Sequence, residues 1–165
     1  MRSFASRRDL ETVPTVAPKG AGLIHQLGEQ MMQHREGGCL CGAVRYVLKG
    51  ELHGAALCHC THCQKQSGSV FSFNLFVREA DYEQQGETKF YADTGDSGKQ
   101  SYRHFCGNCG SPILTKDPGL PGMVLVKAGT LDSMEELQPQ VEIYTDRAAK
   151  WLTRVPGTKR FERSP

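Results

Sequence analysis

Residues 58–77 read CHCTHCQKQSGSVFSFNLFV, and the two halves of this stretch say different things. From Ser69 to Val77, the residues Phe71, Phe73, Leu75 and Val77 recur at every second position, the period of a half-buried strand. Ahead of them, Cys58, Cys60 and Cys63 fall within six residues, with His59 after the first cysteine and His62 before the last. A metal-ligand spacing that runs straight into a strand suggests a small β domain built around metal.

Working outward, "AVRYVLKG" (Ala43 to Gly50), "MVLVKAG" (Met123 to Gly129) and "VEIYTD" (Val141 to Asp146) read as three more short strands. Asp132-Ser-Met-Glu135 has capping-box spacing and predicts a single helical turn. Eighteen glycines and eight prolines suit a turn-rich, mainly β chain with few helical turns. At 165 residues the chain is long enough for one domain with a modest core.

Residues 1–36 differ from the rest: they hold no cysteine and offer one short amphipathic candidate, Ile24 to His34, weakened by Gly28. The basic opening "MRSFASRR" has the flavour of a transit peptide, but Asp9 and Glu11 soon break it. The expectation is a flexible extension ahead of a start at Met31 or Met32. No apolar run approaches the roughly 20 residues of a membrane span, and no secretory signal is visible. A cytoplasmic location is therefore expected, which makes seven cysteines metal ligands before disulfides. Cys39 and Cys41 are also too close for an unstrained bridge. Seven thiolates and two divalent ions would bring the formal charge of +2 close to neutrality, and no basic tract marks a nucleic-acid partner.

The remaining cysteines form two pairs, Cys39-x-Cys41 and Cys106-x-x-Cys109. Alternate residues of a strand share a face, so Cys39 and Cys41 can present both sulfurs to one ion. "CGNCG" (Cys106 to Gly110) reads as a knuckle whose glycines let backbone amides turn toward sulfur. The two pairs make a closed set of four thiolates, the structural zinc arrangement. Cys58, Cys60 and Cys63 then form a tripod one ligand short, and open zinc positions are where catalysis occurs. His59, His62 or His104 would close the tripod into a structural Cys3His site. An iron–sulfur cluster or a Cys-x-x-Cys redox pair would use the same residues, without the usual ferredoxin spacing or βαβ context.

"GGCLCGAVRY" (Gly37 to Tyr46), "CHCTHCQKQSGSVF" (Cys58 to Phe71), "RHFCGNCGSPI" (Arg103 to Ile113) and "VKAGTLD" (Val126 to Asp132), with "EIY" (Glu142 to Tyr144) and Trp151, resemble the family of glutathione-dependent formaldehyde-activating enzymes and centromere protein V. The resemblance covers roughly residues 37–155, leaving 1–36 as an extension and 156–165 as a tail. It implies a β-tent of two short sheets tied by zinc. It also implies a structural zinc on Cys39, Cys41, Cys106 and Cys109, and a second, labile zinc on Cys58, Cys60 and Cys63. The implied activity is that of a carbon–sulfur lyase running in reverse, joining glutathione or a related thiol to formaldehyde or another small aldehyde. Lys65, Gln64, Ser67 and Ser69, which follow the tripod, and Arg103 and His104 beside the knuckle are the candidates for assisting the product oxyanion. The competing expectation is a non-catalytic zinc module that binds a protein or nucleic acid.

Overall fold

The computed structural model describes residues 34–95 and 98–165. The helix candidate Ile24 to His34 lies outside these residues but for its last position, as do the basic opening and Met31 and Met32. The chain is mainly β, with one short helix and two sheets. A three-stranded sheet has the order β1-β2-β5, built from Arg35–Gly38, Arg45–Leu48 and Tyr82–Gln85. An eight-stranded sheet contains β3 (Gly54–Cys58), β4 (Ser72–Arg78), β6 (Thr88–Thr94), β7 (Gln100–Cys106), β8 (Pro112–Lys116), β9 (Met123–Lys127), β10 (Val141–Ile143) and β11 (Lys159–Arg160). Its order is β11-β10-β3-β4-β9-β8-β7-β6, antiparallel from β3 to β6, with β10 running parallel to both β3 and β11.

The alternation in β4 explains how the sheets meet. Leu75 and Val77 are fully buried and join Val124, Val126 and Leu114 on one face of the large sheet, with Ile113 in the same core. Tyr46 and Leu48 from the small sheet, with Val44 just ahead of β2, close this core. Burying each such side chain contributes about 1.5–3 kcal/mol, which holds the two sheets face to face. Phe73 packs at the margin of this core, and Phe71 precedes the strand with its ring edge-on to His59.

The opposite face of β4 is not a water face. Ser72 and Asn74 are buried there, and Phe76 is half-buried. Cross-strand pairing aligns Cys58 with Ser72, Ala56 with Asn74, and Asn74 with Lys127, so one polar strip crosses three strands.

Two local expectations need correction. Cys39 and Cys41 do not lie in a strand; they occupy the turn between β1 and β2, where Cys39 N donates to Val44 O at 2.9 Å and Gly42 N donates to Cys39 O at 3.1 Å. Gly42 takes φ +77°, which lets the chain reverse within so few residues. Asp132–Glu135 forms no helical turn, because Asp132 spends its carboxylate on Arg45 (Nη1 to Oδ1, 2.9 Å) instead of capping. The 3-10 turn falls earlier, at Ala128–Thr130.

Candidate metal centre and groove

Four sulfurs meet where the β1–β2 turn reaches the end of β7. Cys106 closes β7, and the chain folds back through Gly110 N to Cys106 O at 2.9 Å, with Gly110 at φ +74°. The sulfurs of Cys39, Cys41, Cys106 and Cys109 all lie within 4.8 Å of one another. Cys39 and Cys41 are 3.5 Å apart and Cys41 and Cys106 are 3.8 Å apart. A tetrahedron with zinc–sulfur bonds of about 2.3 Å has edges of about 3.8 Å, so the donor set fits zinc. Val44 N donates to Cys39 Sγ at 3.2 Å, Asn108 Nδ2 donates to Cys41 Sγ at 3.2 Å, and the backbone amides of Asn108 and Cys109 turn toward Cys106. Amides aimed at sulfur favour thiolate, the form a metal binds.

Three further sulfurs gather on the other side of the large sheet. Cys58 ends β3, Cys60 caps the helix α1 (Thr61–Ser67), and Cys63 stands in its first turn. Cys60 Sγ accepts from Cys63 N at 3.4 Å, and the sharp strand-to-helix turn brings the three sulfurs together within 4.8 Å. All three side chains are buried, with Ile143 and Tyr144 packed against them. Three thiols in this spacing suit a metal ion with one position left over.

None of the three histidines completes the tripod. His59 is fully buried and its Nε2 pairs with Glu142 Oε2 at 3.2 Å; Thr158 Oγ1 donates to the other carboxylate oxygen, and Arg160 stands 3.4 Å away. Burial alone would raise the Glu142 carboxyl, but Thr158, Arg160 and His59 outweigh it and hold it below its ordinary range. His62 Nδ1 lies 2.9 Å from Asp93 Oδ1. His104 follows Arg103 on β7 and so faces the opposite side of the sheet, where Nδ1 meets Thr88 Oγ1 at 3.0 Å and the ring lies against Phe90.

The structure separates the remaining candidates. Arg103 is brought to the tripod: its Nη1 lies 3.8 Å from Cys63 Sγ, while Nε donates to Asp93 Oδ2 at 2.7 Å. Burial would push the Asp93 carboxyl up, yet hydrogen bonds from Arg103 and His62 bring it below its usual value. Lys65 is exposed on the far side of α1. Gln64 Nε2 serves the carbonyls of Val70 and Arg147, and Ser67 Oγ donates to Cys63 O and Phe71 O, so both are occupied in shaping the turn. Ser69 is exposed, with its amide bonded to Gln64 O.

Sequence reasoning missed Asp93, Glu142 and Lys127. Lys127 is 5% exposed, and its Nζ donates to Asn74 Oδ1 at 2.8 Å and Ser72 Oγ at 3.1 Å. A lysine closing the apolar run "MVLV" reads as a strand end, and only the pairing of β9 with β4 places it beside the tripod. Burial pushes its ammonium down to about 8, with the three cysteines opposing that shift and Arg103 adding to it.

A cavity of about 840 Å³ opens beside the tripod, with Cys60 and Arg103 in its lining. Its floor is apolar, formed by Phe76, Leu125, Val141 and Ile143. Such a volume is ample for a small-molecule site, for which about 300–1,000 Å³ is usual.

The chain matches the family model described as "Glutathione-dependent formaldehyde-activating enzyme" over residues 34–147. A protein of Halomonas elongata, named "Putative glutathione-dependent formaldehyde-activating enzyme", is 28% identical over 124 residues, covering 71% of this chain and 78% of that protein. A crystal structure of a Rhodobacter sphaeroides protein aligns with TM-score 0.48 and 22% identity over 63% of this chain and 91% of its own.

Proposed function

Because the chain belongs to the family of glutathione-dependent formaldehyde-activating enzymes, we propose that it joins a thiol, glutathione or a relative, to formaldehyde or another small aldehyde. The reaction is that of a carbon–sulfur lyase run toward synthesis, giving an S-hydroxymethyl adduct. One observation carries the reading: Cys58, Cys60 and Cys63 meet without a fourth protein ligand among the described residues, and Cys60 lines a groove large enough for a peptide thiol.

Cys39, Cys41, Cys106 and Cys109 would hold a structural zinc that ties the small sheet to the end of β7. Cys58, Cys60 and Cys63 would hold a second zinc, which favours the thiolate form of an incoming sulfur. The groove then orients the rest of the thiol, its apolar floor covering the reacting end from water. Arg103, fixed in direction by Asp93, presents a permanent positive charge next to Cys63 and steers the oxygen of the aldehyde. The attacking sulfur forms its bond to the carbonyl carbon, the π pair moves to oxygen, and that oxygen takes up a proton. The four-cysteine site plays no part in these steps. A free thiol as substrate, together with seven free cysteines in the protein, favours a cytoplasmic setting.

The test is a metal count combined with a thiol titration and a rate measurement. The expected result is two zinc ions per chain, spectroscopic change at one of them when glutathione is added, and adduct formation faster than the spontaneous reaction. Two zinc ions indifferent to every thiol, with the spontaneous rate unchanged, would identify a non-catalytic zinc module instead.

A further inference from the structure

Lys127 presents an energetic puzzle. A buried ammonium normally faces a carboxylate, because an unpaired charge away from water is costly. Among the described residues Lys127 is bonded only to two neutral oxygens, Ser72 Oγ and Asn74 Oδ1. An ammonium has three N–H donors, so one is left over. Asn74 is itself locked, its Nδ2 donating to Ser72 O at 3.1 Å, so its oxygen must face the lysine. The side chain reaches past its cross-strand partner Asn74 to Ser72, the residue directly opposite Cys58. The ammonium therefore stands on the same face as the tripod, two strands from Cys58.

The charges that face it are few. Cys58, Cys60 and Cys63 approach from β3 and α1, and Arg103 from β7, with Asp93 already engaged by Arg103 and His62. Only the sulfurs can compensate the ammonium. A structural role as mere counter-charge would be served equally by arginine, whose charge does not titrate. A lysine held by exchangeable neutral partners is suited to a group that must also give up a proton.

We infer that Lys127 is the proton donor of the proposed condensation, using its third N–H on the oxygen of the aldehyde. This inference rests on the thiol–aldehyde reading above. As sulfur bonds to carbon and the carbonyl π pair moves to oxygen, a proton passes from Nζ to that oxygen, giving the hydroxyl of the adduct. The neutral amine then regains a proton from solvent, replacing the one the thiol released on entering, so the net reaction is thiol plus aldehyde to adduct. The ammonium's position at about 8 keeps the donor charged at neutral pH yet ready to release.

The experiment compares Lys127→Arg and Lys127→Met with the wild-type protein in three measurements: zinc content, glutathione affinity, and the pH dependence of adduct formation. Expected for Lys127→Arg are two zinc ions and near wild-type affinity, with kcat lower by roughly 10²- to 10⁴-fold, the usual share of general acid catalysis. Wild-type kcat should fall as pH rises through about 8, where the ammonium is lost; the arginine variant should lack that limb. A lysine 15Nζ signal titrating near pH 8, missing from Lys127→Arg, locates the same group without reference to activity. Restoration of wild-type kcat by arginine, or a signal titrating at the ordinary lysine value, overturns the assignment of Lys127 alone. A wild-type protein that accelerates no thiol overturns the functional reading beneath it.

Discussion

Replacing Asp93 by Asn should destabilise the protein by about 1.5–3 kcal/mol near neutral pH. Asp93 sits on β6 with its side chain 9% exposed, bonded on one side to Arg103 Nε at 2.7 Å and on the other to His62 Nδ1 at 2.9 Å. Asparagine offers one oxygen in place of two, and that oxygen carries no charge, so the interaction with the Arg103 guanidinium loses its ionic partner. The loss is then about one hydrogen bond to a charged group, for which 1.5–3 kcal/mol is typical. The larger penalty of about 3–5 kcal/mol for orphaning a buried ion applies in full only without water, and β6 is an edge strand. The pH dependence gives the sharper signature. The carboxyl is held below its unfolded value, so its contribution is complete above about pH 4 and fades as pH falls through the folded value. Urea unfolding of both proteins from pH 7 to pH 3 measures the difference, and acid damage common to both cancels. The difference should shrink toward zero at the acid end. A difference under about 0.5 kcal/mol at pH 7, or one that stays constant down to pH 3, refutes the idea that Asp93 acts as a charged clamp on Arg103.

Other expectations follow from the same geometry. Cys106→Ser should cost the fold itself, because a structural zinc site contributes about 10–16 kcal/mol and a domain has only about 5–15 to lose; Cys60→Ser should leave a folded protein with one zinc ion and no thiol response. Metal counts and circular dichroism on the two variants check this, and equal loss of structure in both would break the division of labour. Gly86→Ala should destabilise by at least about 1–3 kcal/mol, since Gly86 has φ +80° and an added Cβ would stand 2.0 Å from Ala43 O; a thermal melt unchanged from wild type contradicts it. Phe76→Ala, on the groove floor, should raise KM for the thiol more than it lowers kcat, and a pure kcat effect would place the thiol elsewhere.

The β class was legible because it depends on local pattern. Leu75 and Val77 alternate as the sequence requires, and both ended in the core between the sheets. The strands β5 to β8 escaped notice for an equally physical reason. β6 reads TKFYADT with only Asp93 buried, because an edge strand needs no apolar face to be held by the hydrogen bonds of its neighbour. The helix α1 was hidden behind its cysteines: Thr61–Ser67 contains one buried residue, Cys63, and ends on Gly68 at φ +62°. A seven-residue helix has no room for an amphipathic period, and its start is fixed by Cys60, which is not an ordinary capping residue.

The site divides along the same line between local and non-local information. Spacing alone groups Cys58, Cys60 and Cys63, because six residues cannot carry them far apart, and the structure gathers them. Whether a histidine closes the tripod depends on what each ring meets elsewhere. His59 is claimed by Glu142 from β10 and His62 by Asp93 from β6, partners 83 and 31 residues away in sequence. His104 was decidable in principle: once Arg103 and His104 lie in one strand, they face opposite sides, and only one can reach the tripod. Ser72, Asn74 and Lys127 show the converse. Polar residues at alternate strand positions usually mark the solvent side, and here they line a buried face whose polarity has no purpose in packing. Ser72 and Asn74 satisfy each other by hydrogen bonds, but a buried ammonium held only by neutral oxygens beside three thiols still costs stability. That cost, legible only after β4, β9 and β3 are aligned, singles out the buried polar strip beside the tripod, which no motif in the chain marks.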